Sequence, residues 1–96
     1  MNIRFLDVAQ RELDDTFEWY CERGEEVGRH FLDELDRAIR RIRLFPLAST
    51  EVAPGIRRCL MARFPYGVMY GIDEDSIIVI AVAHLHREPR YWIDRL

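Results

Sequence analysis

The stretch Ile77-Ile78-Val79-Ile80-Ala81-Val82-Ala83 is the longest uninterrupted apolar run in the chain and constrains its fold more than any other feature. It is far short of the roughly 20 residues a membrane-spanning helix needs. It is rich in Ile and Val and apolar at both parities, as expected of a strand flanked by other strands and covered from above and below. Ser76 to Leu85 therefore reads as a central strand. Upstream, Ile56 to Phe64 and Tyr66 to Ile72 read as two further strands, split by Pro65, which has no N–H to give a ladder. Asp73-Glu74-Asp75 is the polar turn before the last strand. Links this short make the three an antiparallel meander.

The first half of the chain has a different period. Ala9, Leu13, Phe17 and Tyr20 recur at steps of four, four and three, and Val27, Phe31, Leu35, Ala38, Ile42 and Phe45 continue at steps of three and four. Two amphipathic helices are expected, about Asp7 to Gly24 and Glu25 to Leu44. Asp7 and Gln10 are placed to form a capping box at the start of the first, and Pro46 ends the second. Ile3 and Phe5 alternate with polar neighbours as a short first strand. The expected fold class is α+β: an N-terminal strand, then an antiparallel two-helix hairpin packed on a C-terminal three-stranded antiparallel meander, in one domain over residues 1–96. A single hairpin covers only one face of such a sheet and leaves the other for a partner. Met61, Tyr66, Met69, Tyr70 and Trp92 suit either an interface or a core.

Net charge is −3, and all fourteen basic residues are arginine. A surplus of acid argues against binding free nucleic acid by bulk attraction. Most of Arg37, Arg40, Arg41 and Arg43 suits the negative end of the second helix dipole. The N-terminus lacks the apolar core of a secretory signal, and Cys21 and Cys59 are far apart, which fits reduced thiols and a cytoplasmic location. No membrane association, cofactor or metal is expected. His84 and His86 share strand parity, but a zinc site needs three or four ligands and the sequence offers no third near them. The familiar hydrolase, P-loop and dinucleotide motifs are missing. The paired acids Asp14-Asp15 and Glu25-Glu26 read as solvated helix faces.

One chemistry remains open on the residues alone, that of a metal-free ribonuclease. It needs a base, an acid and arginines around a phosphorane. His84, His86 and Tyr91 are candidates for proton transfer, and Arg57, Arg58, Arg63, Arg87 and Arg90 for phosphate. Arg57 and Arg63 share strand parity and so point to one sheet face, with Arg58 on the other. The competing reading makes these arginines a sheet rim or partners of helix acids. In "AHLHREPRYW", Tyr91 and Trp92 are expected to fold back as an aromatic clasp, with Arg87 and Arg90 best placed to touch a target.

In order, spacing and length, "FLDELDRAIRRIRLFPLAS", "PGIRRCLMARFPYGVMYGIDEDSIIVIAVAH" and the closing "HLHREPRYWIDRL" resemble the RelE/ParE superfamily of type II toxin–antitoxin toxins, the plasmid-stabilisation type. The resemblance implies a toxin that arrests bacterial growth and is neutralised by a cognate antitoxin, which alone contacts operator DNA. RelE-like members cleave mRNA on the ribosome; ParE-like members poison DNA gyrase without hydrolysis. An acidic, lysine-free chain with the "RFPYGVMY" hairpin looks more like the ParE branch, for which no catalytic residue is expected. For a RelE-like ribonuclease the resemblance would single out His84, Tyr91, Arg57 and Arg63. Target or antitoxin binding is expected from Arg57, Arg58, Arg63, His86, Arg87, Arg90 and Trp92.

Overall fold

The computed structural model describes all of residues 1–96. Its elements are β1 (Asn2–Phe5), α1 (Asp7–Arg23), α2 (Glu25–Leu44), β2 (Thr50–Ala53), β3 (Ile56–Leu60), β4 (Tyr66–Asp73) and β5 (Ser76–His84). The sheet runs β1-β5-β4-β3-β2. β1 lies parallel to β5, and every other pair is antiparallel. The apolar run thus forms an internal strand, as its composition requires.

The helix hairpin covers one face of the sheet. Ala9, Phe31, Leu35, Ala38 and Ile42 meet Val68, Tyr70, Ile77, Val79 and Val82 in the larger core. Each fully buried aliphatic or aromatic side chain there contributes about 1.5–3 kcal/mol relative to exposure. Tyr70 is wholly buried and its hydroxyl donates to Pro46 O at 2.6 Å, which satisfies the one polar atom it brings inside. The helices meet at Gly24 (φ 151°), and at Gly28 a β-carbon would overlap Cys21 Sγ, so the hairpin closes only on glycine.

Several details depart from the sequence reading. Asp7 is the first helical residue rather than a cap; Leu6 holds the cap position without a side-chain bond, and Gln10 bonds Asp14 instead. Phe45 leaves the α2 stripe and is 65% exposed, because the helix ends at Leu44 before the Phe-Pro step. The meander has four strands, not three: Thr50–Ala53 adds β2 beside β3 across a Pro54-Gly55 turn. β3 stops at Leu60, and residues 61–65 form a tight connection in which Arg63 takes φ 68°.

β5 also carries a bulge. Val79 pairs with Tyr70 and Ala81 with Met69, leaving Ile80 as an extra residue. The extra residue resets the alternation. Ile77, Val79 and Val82 face the helices, whereas Ile78, Ile80, Ala81 and Ala83 face away. That second face is not left bare: it forms a smaller core with Ala53, Ile56, Met69 and Trp92, closed by the C-terminal tail. Met61, Met69, Tyr70 and Trp92 are buried and Tyr66 half-buried, so these ambiguous residues belong to the core.

Candidate functional site

The tail, residues 85–96, crosses the face opposite the helices as a chain of turns. Leu85 N–H donates to Pro65 O (2.8 Å), Arg87 N–H to His84 O (3.1 Å), Ile93 N–H to Arg90 O (3.0 Å) and Arg95 N–H to Trp92 O (3.1 Å). Trp92 is 5% exposed. What fastens the tail is Glu12 of α1. Its carboxylate accepts from Tyr91 Oη (2.7 Å), from both terminal nitrogens of Arg95 (2.9 and 3.1 Å) and from the Val82 backbone N–H (3.1 Å). Arg95 also donates to Ile80 O at 2.9 Å. β1 pairs with β5 only as far as Val79, so Glu12 and Arg95 satisfy the strand edge that β1 leaves open.

This anchoring sets the electrostatics of Tyr91. Burial first, then the hydrogen bond to Glu12 and that carboxylate's charge, push the phenol up to about 12, while Arg87 and Arg95 pull the other way. The Arg87 guanidinium lies 3.9 Å from the Tyr91 ring centroid, a cation–π stack.

Between the tail and the sheet lies a groove of about 260 Å³. Val52, Met69 and Trp92 contribute its apolar surface, and Arg58, Arg87 and Arg90 its charge. Arg58 rises from β3 with its aliphatic stem across Gly67, where a β-carbon would stand 3.1 Å from Arg58 Cγ. Its Nε is the one buried side-chain nitrogen or oxygen without a hydrogen-bond partner.

The residues singled out in the sequence divide between locations. Arg58, His84, Arg87, Arg90, Tyr91 and Trp92 all line the groove. Arg57 lies toward the opposite face, donating to Leu47 O (3.0 Å) and Ser49 O (2.7 Å) with Glu51 3.7 Å away. Arg63 does not share a strand face with it, because β3 has already ended; it sits by Glu34 of α2 at 3.9 Å. His86 is not on the strand with His84, since β5 stops at His84 and residue 86 lies in the following turn. Its backbone N–H donates to His84 Nδ1 (3.1 Å), and the two rings are 5.4 Å apart. His84 also borders a second depression with Asp15, Trp19, Tyr20 and Tyr66. No group of three or more His, Cys, Asp or Glu is gathered in a way that could hold a metal ion.

Sequence reasoning missed Glu12, Arg95 and Glu34. Glu12 falls beside the apolar stripe of α1, where an acid reads as solvated, and its partners lie 70 to 83 residues away. Glu34 is 4% exposed yet sits between Phe31 and Leu35; Arg37 reaches it at 2.6 Å. Its place inside the apolar arc of α2 was the available signal.

No helix is long and apolar enough to cross a membrane. Comparison with curated proteins gives no significant match. Among solved structures, a chain from the chromosomal ParDE TA system of P. aeruginosa is similar in fold, with a TM-score of 0.77, 14% identity, and coverage of 90% of this chain and 97% of that one. Residues 3–89 match the family described as the ParE toxin of the type II toxin–antitoxin system, parDE. With nearly the whole sequence accounted for in this way, the chain belongs to the ParE toxin family, within the RelE/ParE superfamily of type II toxins.

Proposed function

We propose that this chain arrests bacterial growth by inhibiting DNA gyrase in the cytoplasm, without hydrolysing a substrate, and that a cognate antitoxin neutralises it. Through such an antitoxin the pair would bind its operator and stabilise the replicon that carries it. The antitoxin reading is supported by the family and by the similar chain's origin in a ParDE system.

The single observation that carries the non-hydrolytic reading is the dispersal of the acid–base set. A ribonuclease would need His84, Tyr91, Arg57 and Arg63 around one phosphate. Arg57 is engaged by the α2–β2 loop and Arg63 by α2, both away from the groove that His84 and Tyr91 line. Tyr91 donates a hydrogen bond to Glu12, and burial with that bond pushes its phenol up to about 12, which makes it a poor acid or base at neutral pH. The acidic net charge weighs against a ribosome- and mRNA-directed endoribonuclease in the same direction.

The test is expression from a tightly repressed promoter without any antitoxin, with the purified chain assayed for gyrase supercoiling and for ribosome-dependent mRNA cleavage. Growth arrest with loss of supercoiling and induced DNA damage is expected. Continued growth would remove the toxin reading. Codon-positioned cleavage on ribosomes with supercoiling intact would transfer it to the mRNA interferase branch.

A further inference from the structure

We propose that the groove beneath the C-terminal tail is a carboxylate-reading site that takes an acidic, partly apolar segment of a protein partner, with Arg58 as its anchor. Naming the antitoxin as that partner rests on the reading above; the chemistry of the site does not.

Four observations converge on the same place. Arg58 makes no hydrogen bond or ion pair, and its Nε is buried. Leaving a buried donor unmade costs about 1–3 kcal/mol, so this Nε calls for an acceptor that the chain itself does not supply. Second, the position is built: Gly67 leaves bare backbone under the Arg58 stem, where a β-carbon would stand 3.1 and 3.3 Å from Arg58 Cγ and Cδ and 3.3 Å from Met69 Cε. Third, Arg90 lines the same groove together with Arg87, which already lies 3.8 Å from the Glu12 carboxylate, and Glu88 is the groove's one carboxylate. Arg90 takes an uncommon backbone conformation (φ 63°) and pairs with no acid of this chain. Fourth, Val52, Met69, Ala83 and Trp92 give the groove an apolar stretch beside these charges, with His84 and Tyr91 as its other polar groups.

A guanidinium whose flat fork is partly desolvated is matched best by a carboxylate, which can accept two parallel N–H bonds. The apolar surface beside it asks for an aliphatic or aromatic neighbour on the same ligand. An acidic peptide carrying leucine-like side chains supplies both. A nucleic acid supplies the anion but no aliphatic neighbour for Val52 and Met69.

The experiment uses the full-length ¹⁵N-labelled chain and follows the Arg58 Nε–H and the Trp92 indole N–H resonances, with Trp19 as an internal reference. Three probes are titrated: a capped peptide of repeated Leu-Glu-Asp-Leu, its amide twin of repeated Leu-Gln-Asn-Leu, and an oligouridylate of equal charge. The acidic peptide is expected to shift both groove resonances and leave Trp19 unmoved. The amide twin should bind about tenfold or more weakly, as should the acidic peptide to Arg58→Gln. Should Arg58→Gln fail to fold, the exposed Arg90→Gln decides, with weaker peptide binding at an unchanged melting temperature expected. No shift with the acidic peptide, equal binding of the two peptides, or tighter binding of the oligouridylate would each overturn the proposal. Failure of the growth-arrest assay would leave these titrations unaffected, so the two readings fail separately.

Discussion

Glu12 and Arg95 stand 83 residues apart and meet through two hydrogen bonds of 2.9 and 3.1 Å, with side chains 13% and 18% exposed. The pair joins α1 to the end of the tail and at the same time fills the open edge of β5 through Val82 N–H and Ile80 O. A single carboxylate therefore couples the helix layer, the sheet edge and the groove.

Replacing the carboxylate by an amide removes the charge that faces Arg95 and one of the two oxygens shared by Tyr91, Arg95 and Val82, so not all of these donors can be satisfied. Glu12→Gln is expected to destabilise the fold by about 3 kcal/mol, the usual cost of stranding one half of a shielded pair. Urea unfolding gives the stability, and amide exchange locates it: residues 87–96 and Val82 should lose protection while α2 keeps its own. A melting temperature equal to the parent's would contradict the role assigned to Glu12.

The aromatic clasp can be weighed against the other tryptophan. Trp92 is 5% exposed within the second core, whereas Trp19 is 49% exposed and lies under Arg23. Trp92→Ala should cost about 3–5 kcal/mol, as for other buried aromatic truncations. Trp19→Ala should change stability by about 0.5 kcal/mol or less, as at other surface positions. Equal effects in thermal denaturation would mean that the tail does not close the second face.

How much of this was legible beforehand depends on whether the cause was local. The helices follow from apolar residues at steps of three and four, and the internal strand from Ile77 to Ala83, since burial pattern alone dictates both. β2 was not readable because Thr50-Glu51-Val52-Ala53 is only four residues long, runs straight into Pro54-Gly55 and is held as a strand by pairing with β3. The bulge at Ile80 was hidden for the opposite reason: in a run where every residue is apolar, a change of parity leaves no trace. In the candidate site, the groove residues at 84–92 drew notice by their types. Their anchor did not, because an acid on an amphipathic helix reveals nothing about a tail 79 residues further on.

The phenol of Tyr91 gives a pH test with a defined sign. Its folded value is about 12, above the ordinary value near 10 of an unfolded tyrosine. Below pH 10 both states hold the proton and the contribution is fully present. Between about 10 and 12 the unfolded chain releases its proton first, so it binds fewer protons than the native state and stability falls as pH rises. Burial raises Tyr20 as well, in the same direction. Ultraviolet titration should therefore find late-ionising tyrosine in the native protein, and Tyr91→Phe should remove part of the alkaline loss of stability. A native titration with every tyrosine ionising near 10 would remove the Tyr91–Glu12 bond from the account.

The last prediction concerns the helix hairpin, where two ordinary rules oppose each other. Glycine inside a helix is less favourable than alanine by about 1 kcal/mol, so Gly28→Ala in α2 should stabilise the chain if propensity decides. A β-carbon there would overlap Cys21 Sγ and stand 3.3 Å from the Cys21 backbone, where neither helix can retreat without opening the core around Phe31. Overpacking of this kind costs about 1–3 kcal/mol, so the clash should win and Gly28→Ala should lower the melting temperature. Adding Cys21→Ala removes the sulfur but not the backbone contact, and should restore part of the loss. A stabilised single variant, or a double variant no better than the single one, would mean that α1 and α2 are further apart at this crossing than described.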